Sequence, residues 1–174
     1  KMYVFLDASV EDLPQLYSLL EEYNIGVEPG VVVETDANMY TQYPIYLLPE
    51  IQDSDVTEAQ YDSNIYILAP SAKGLTDLSA DDAEEETSED TSEETSEETS
   101  EDTTYTVTSL LTTSDGAYSK VDTNSSTIEK EEGDIDGPFS IAMAVSDDNG
   151  GRLIVTGCSN MLETSIDYAV GGAN

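Results

Sequence analysis

The sequence predicts an α/β domain: a mixed, mostly parallel sheet with flanking helices, one antiparallel hairpin and a long acidic disordered insertion. Three observations lead there. A β-α-β pattern opens the chain between Met2 and Val33, short apolar runs recur along its length, and one internal segment lacks apolar side chains altogether. With 38% hydrophobic residues in 174, the chain can bury one core, and residues 1–174 read as a single domain carrying an insertion at 81–104.

Met2–Leu6 is a continuous apolar run, as expected for a strand covered on both faces. A helix signature follows. Ser9 with Asp12 three residues on resembles a capping box, Pro14 suits a first turn, and Leu13, Leu16, Tyr17, Leu20 and Tyr23 fall on one apolar stripe. Asn24 and Gly26 close that helix. Val31-Val32-Val33 then starts a second strand, ended by Glu34-Thr35-Asp36, and such units usually form parallel sheets through right-handed crossovers.

Tyr40–Glu50, with Pro44 and Pro49, reads as an irregular or edge segment. Asn64–Ala69 is a short buried strand stopped by Pro70, and Tyr105–Thr113 alternates enough for another. Gly137-Pro138 opens the strand Phe139–Val145, Asp147–Gly151 is a hairpin turn, and Leu153–Gly157 is the last strand. A terminal helix is expected over Asn160–Val170. The chain begins inside an apolar run and reads as a piece of a longer protein, with no stretch approaching the roughly 18–20 apolar residues of a membrane span.

Between Asp81 and Asp102 stand 13 acidic residues and no basic one, and from Thr87 the repeat TSED, TSEE, TSEE, TSED runs without an apolar side chain. Such a segment cannot offset its ordering entropy by burial, and its charges repel one another. It reads as a solvated loop, with weak divalent-cation binding or a mucin-like spacer as the alternatives. No Gly lies between Gly74 and Gly116 to make the sharp turn of an EF-hand-like calcium loop.

Charge excludes several functions. Thirty-eight Asp and Glu face five cations, Lys1, Lys73, Lys120, Lys130 and Arg152, for a net charge of -33. That disfavours nucleic-acid binding and docking of this fragment on anionic lipid. With no His and one Cys, the chain alone cannot build a His-based triad, an internal disulfide or a Cys-cluster metal site. Cys158 stands where a nucleophile elbow would stand, but the second glycine of that motif is missing and surrounding acid disfavours the thiolate. A buried structural thiol is expected, and no catalytic residue, cofactor or resident metal. Asp7 and Asp36 follow strands expected to be parallel, the end at which α/β sheets bind ligands. Asp134 and Asp136, just before Gly137-Pro138, are a second candidate carboxylate pair. Capping of local turns is the competing role for all four.

Several segments in order resemble a known family. They are Phe5-Leu6-Asp7, Leu13-Pro14-Gln15-Leu16, Leu19-Leu20-Glu21-Glu22-Tyr23-Asn24-Ile25, Val31–Asp36, Leu110–Ser114, Asp136-Gly137-Pro138 and Val155–Ser159. Together they resemble the GldG-like, gliding-motility-associated auxiliary components of ABC-type transport systems. The resemblance implies an extracytoplasmic α/β domain similar to class I glutamine amidotransferase folds, on the outer face of the bacterial cytoplasmic membrane in a membrane-anchored parent. Its implied partners are the transporter permease and associated membrane subunits. The chain departs from the family at Cys158, where Asp is commoner, and in the Thr-Ser-Glu repeat. The function implied is non-enzymatic, in protein-protein interaction or substrate handling. A small-ligand or glycan-binding module using the carboxyl-end crevice of the sheet is the alternative.

Overall fold

A computed structural model describes residues 1–10, 13–63, 65–79, 104–172 and 174. The acidic insertion, apart from Thr104, lies outside the described residues, as does Asp12 of the expected capping box. Strand β1 (Met2–Phe5) leads to helix α1 (Pro14–Glu21), then β2 (Ile25–Val27) and β3 (Val31–Val33). Short strands β4 (Tyr40–Thr41), β5 (Tyr43–Leu47) and β6 (Glu50–Ile51) precede the single-turn α2 (Glu58–Tyr61). Then come β7 (Ala69–Pro70), β8 (Leu75–Asp77), β9 (Tyr105–Thr112), β10 (Tyr118–Lys120), β11 (Ile135–Asp136), β12 (Ser140–Asp147), β13 (Arg152–Thr156) and α3 (Thr164–Ala169).

The largest sheet is seven-stranded and mixed. Its path is β1-β13-β12-β8-β2, with β9 also on β12 and β6 on β9. Two three-stranded sheets, β11-β10-β3 and β4-β5-β7, lie beside it. The expectation of a mostly parallel sheet is wrong. β1 with β13 is parallel, from Met2 against Leu153 to Phe5 against Thr156, and the other described pairs are antiparallel. The opening β-α-β pattern misleads because neither later strand returns to β1. β2 pairs with β8 at the far end of the sheet path, and β3 pairs with β10 in another sheet. An apolar run identifies a strand but carries no information on its partner.

β1 itself corrects a second expectation. It is an edge strand, with Met2, Tyr3 and Phe5 exposed, not one covered on both faces. Helix α1 starts at Pro14 as read, but its N-cap is Leu13 and no side chain caps it. Ser9 is instead bound to Asp7. Asn24, at φ 60°, turns the chain out of the helix, while Gly26 lies within β2. Residues 65–68 form no strand. Their edge is satisfied by the Asn174 amide, whose Oδ1 accepts from Leu68 N at 2.9 Å while its Nδ2 donates to Leu68 O at 2.8 Å. The terminal helix is broken at Glu163, whose extended backbone separates a 3-10 turn, Asn160–Leu162, from α3.

The hairpin is as read. Asp147 Oδ1 accepts from Asn149 N and Gly151 N, both at 2.8 Å, closing the turn between β12 and β13. β12 is the centre of the fold and both its faces are covered. Met143 and Val145 pack with Leu20, Ile25, Leu75, Leu153 and Val155 under α1. Ala142 and Ala144 face Val32, Leu47, Leu110 and Leu111 on the other side. A register shift between Ala142 and Met143 breaks the two-residue alternation, so Ile141 joins Ala142 in that second core. Among the described residues no helix is long and apolar enough to cross a membrane.

Candidate functional site

Because β1 and β13 are parallel, their carboxyl ends emerge together, and the segments after them meet. Leu6 N donates to Thr156 O and Ser159 N to Leu6 O, each at 2.8 Å. This places Asp7 beside Ser159. Asp7 Oδ1 accepts from Ser9 N at 2.8 Å and Ser9 Oγ at 2.6 Å, and Oδ2 accepts from Ser159 Oγ at 3.0 Å. The Ser9 hydroxyl, then the Ser9 N–H and the Ser159 hydroxyl, hold the carboxyl below its ordinary value. Asp7 is thus occupied as a clasp between the two strand ends.

Asp36 follows β3 in another sheet and accepts from Asn38 N and Nδ2, both at 2.8 Å, closing its own turn. Among the described residues no hydrogen bond, ion pair or common partner joins it to Asp7. Asp134 and Asp136 also part company. Asp136 is exposed and pairs with Lys130. Asp134 is buried and binds the interior Lys120 at 3.1 Å, with Val121 N at 3.0 Å and Glu131 N at 2.9 Å completing its shell. Burial pushes the Asp134 carboxyl up, but the Glu131 and Val121 N–H groups and Lys120 outweigh it and hold it below its ordinary value. No three Asp, Glu, Cys or His side chains among the described residues are grouped to hold a metal.

Three buried charged residues escaped the sequence reading. Glu34, directly after β3, is 2% exposed and forms no ion pair among the described residues. Its Oε1 accepts from Thr35 N at 2.7 Å, Asp36 N at 2.9 Å and Ser114 Oγ at 2.5 Å, and its Oε2 accepts from Ser114 N at 3.0 Å. Lys120 and Lys73 are the others, 3% and 4% exposed. The signal for both was scarcity. Where 38 acids surround five cations, each cation is more informative than any one carboxylate.

A crevice of about 600 Å³ opens beside the Asp7 turn, with Ser9, Pro29, Gly30, Lys73, Thr123 and Asn124 in its lining. Cys158 belongs to the core instead. Its Sγ donates to Pro70 O at 3.2 Å, and burial pushes the thiol up to about 11. At neutral pH only about one molecule in ten thousand would carry the thiolate. Native protein is therefore expected to resist thiol reagents at pH 7, with labelling at the rate of unfolding. Mass spectrometry of a timed reaction checks this, and prompt stoichiometric labelling would show that the thiol is open.

The geometry thus supplies a clasped Asp7, a crevice with a lysine in its wall, an open edge strand and an inert cysteine. Compared with protein-family models, curated proteins and solved structures, the chain finds no match among any of the three.

Proposed function

We propose that this chain is a non-enzymatic auxiliary domain of a bacterial ABC-type transport system, working by protein-protein contact on the outer face of the cytoplasmic membrane. The sequence resemblance supplies the system and the compartment. One structural observation supports the mode of action, and it is the edge of β1. Among the described residues β1 pairs with β13 alone, so its second edge carries main-chain donors and acceptors open to a partner strand. Beside them Met2, Tyr3 and Phe5 are exposed, Tyr3 by 60%. Soluble domains usually blunt such edges with charge or proline, and this one is apolar instead.

The occupant that fits is an extended, basic segment of the permease or an associated subunit. A net charge of -33 favours a cationic partner and opposes a second copy of the chain. The kinship to class I glutamine amidotransferase folds is part of the same reading.

Site-specific cross-linking in membranes of cells co-expressing parent and permease tests the proposal. Cys158 is buried, so a single cysteine placed at Tyr3 gives one reactive site. Tyr3→Cys is expected to yield a covalent adduct with the permease or its associated subunit. Tyr43→Cys, equally exposed but in another sheet, is expected to yield none. No adduct from Tyr3, or equal adducts from both positions, would count against the reading.

A further inference from the structure

Two lysines lie inside this molecule, and the chain treats them oppositely. Lys120 Nζ is surrounded by oxygen: Glu131 Oε2 at 2.5 Å, Glu129 O at 2.9 Å and Asp134 Oδ2 at 3.1 Å. Lys73 is just as buried, at 4% exposure, yet no carboxylate of the described residues lies within ion-pair distance of its ammonium. Its Nζ stands over the face of Tyr17, 5.9 Å from the ring centroid. Asp7 is close enough to feel the charge, but its oxygens are committed to Ser9 and Ser159. A buried ammonium that makes no direct ion pair is costly. Among the described residues the Lys73 ammonium closes no ion pair, and Asp7 is the carboxylate whose charge acts together with it, so an oxyanion from outside can make the direct contact.

The backbone around Lys73 is held from both sides. Lys73 N donates to Gly157 O at 2.8 Å, while Ala72 O and Gly74 O accept from Val32 N at 2.8 Å and Glu28 N at 2.9 Å. Gly157 is required for this fit, since a Cβ there would lie 2.1 Å from Lys73 O. The main chain of Lys73 is therefore fixed in place, and Lys73 lines the 600 Å³ crevice. Two further polar groups in that wall, the Thr123 hydroxyl and the Asn124 side-chain amide, hold no hydrogen bond among the described residues. The volume suits a small molecule rather than a polymer.

We propose that this crevice binds a small metabolite through a carboxylate or phosphate group, with Lys73 as its counter-ion and Thr123 and Asn124 as neutral hydrogen-bonding partners. Lysine serves as a compact point charge for either oxyanion. The surrounding negative field raises the threshold for entry, so a ligand must make the direct contact to be held. Carboxylate-rich polymers are repelled at long range, while a small mono- or dianion reaches Lys73 at modest cost. This site is independent of the β1 edge, which bears the protein partner.

The test is titration of the intact chain with inorganic phosphate and, separately, with succinate at constant ionic strength, read by the lysine side-chain amine resonances and by calorimetry. With four lysines the assignment is short. Saturable binding of at least one anion is expected, with Kd of about 1 mM or tighter and the Lys73 ammonium resonance moving. The stronger of the two identifies the preferred oxyanion. Lys73→Met, which keeps the apolar stem, is expected to weaken binding at least tenfold. Should that variant not fold, Thr123→Asp provides the second test, because a carboxylate at the exposed wall should weaken binding similarly with Lys73 intact. Absence of saturable binding with both anions overturns the proposal. So does binding that survives Lys73→Met or Thr123→Asp unchanged.

Discussion

Glu34→Ala is expected to destabilise the fold by about 3 kcal/mol, the largest effect we anticipate for a single truncation. Removing this carboxylate takes the acceptor from Ser114 N, Ser114 Oγ, Thr35 N and Asp36 N together. Each bond to a charged acceptor contributes roughly 1.5–3 kcal/mol, but Thr35 and Asp36 lie near solvent and regain water, which lowers the total. Ser114 is the group that suffers most, because it joins the turn after β9 to the end of β3 across 80 residues of sequence. Glu34→Gln separates charge from shape. Its oxygen can replace Oε1, but its amide nitrogen would face the Ser114 N–H, so about half the loss should remain. Urea unfolding followed by tyrosine fluorescence measures both. A change below about 1 kcal/mol for Glu34→Ala would mean that water replaces the carboxylate fully.

Lys120→Met is expected to lower the melting temperature sharply at pH 7, with a loss that depends on pH in a defined direction. Burial pushes the Lys120 ammonium down, yet its bonds to Glu131 and Asp134 outweigh that and raise it above its ordinary 10.5. The Lys120 bond, followed by that from Ser125, holds Glu131 below its ordinary 4.5. Depressed carboxyls stabilise the folded state above their unfolded values and cease to do so as pH falls through their folded ones. A raised amine stabilises below its unfolded value and fails only as pH rises past it. The cluster therefore contributes fully between about pH 4.5 and 10.5. In Lys120→Met, buried Asp134 and its neighbour Glu131 are left as like charges at neutral pH. Acidification removes that repulsion. Melts of wild type and variant across the acid range should show the gap closing below the carboxylate values, and a constant gap would show that Lys120 acts by packing alone.

The strands carried by strong local signals were legible. Asp147–Gly151 encodes its turn in a few adjacent residues, and Pro14 and Asn24 mark the two ends of α1 through backbone geometry that side-chain chemistry fixes locally. Pairing was not legible, because Met2–Leu6 and Val31–Val33 look alike in sequence while one lies on an exposed edge and the other is mostly buried. Asn64–Ala69 shows the same limit. Ile67, Leu68 and Ala69 are buried while Tyr66 stays exposed, and at Leu68 a side-chain amide from Asn174 takes the place of a neighbouring strand. Of the four candidate carboxylates, Asp7 follows a parallel strand as expected, Asp36 follows an antiparallel one, and each is engaged with groups of the chain itself. The carboxyl-end rule for sheets pointed to a crevice at Asp7 and Asp36, whereas the crevice near the Asp7 turn is lined by neither. Its lysine was not legible, since Lys73 reaches it through the close approach at Gly157, a contact between residues far apart in the chain.

The parallel pairing of β1 with β13 has a consequence for the order in which the molecule assembles. The two strands are about 150 residues apart, so β1 leaves the ribosome long before any partner for it exists. The β12–β13 hairpin closes over a few residues and pays little loop entropy, and β9 can add to β12 next. β1 docks onto a template already built. In the finished protein the same strand pairs on one side only among the described residues, so it can detach without breaking the β9–β12–β13 centre of the large sheet. Amide exchange should show Val4 and Phe5 exchanging ahead of Met143 and Val155, and the strand proposed to recruit a partner is also the one that the fold secures last.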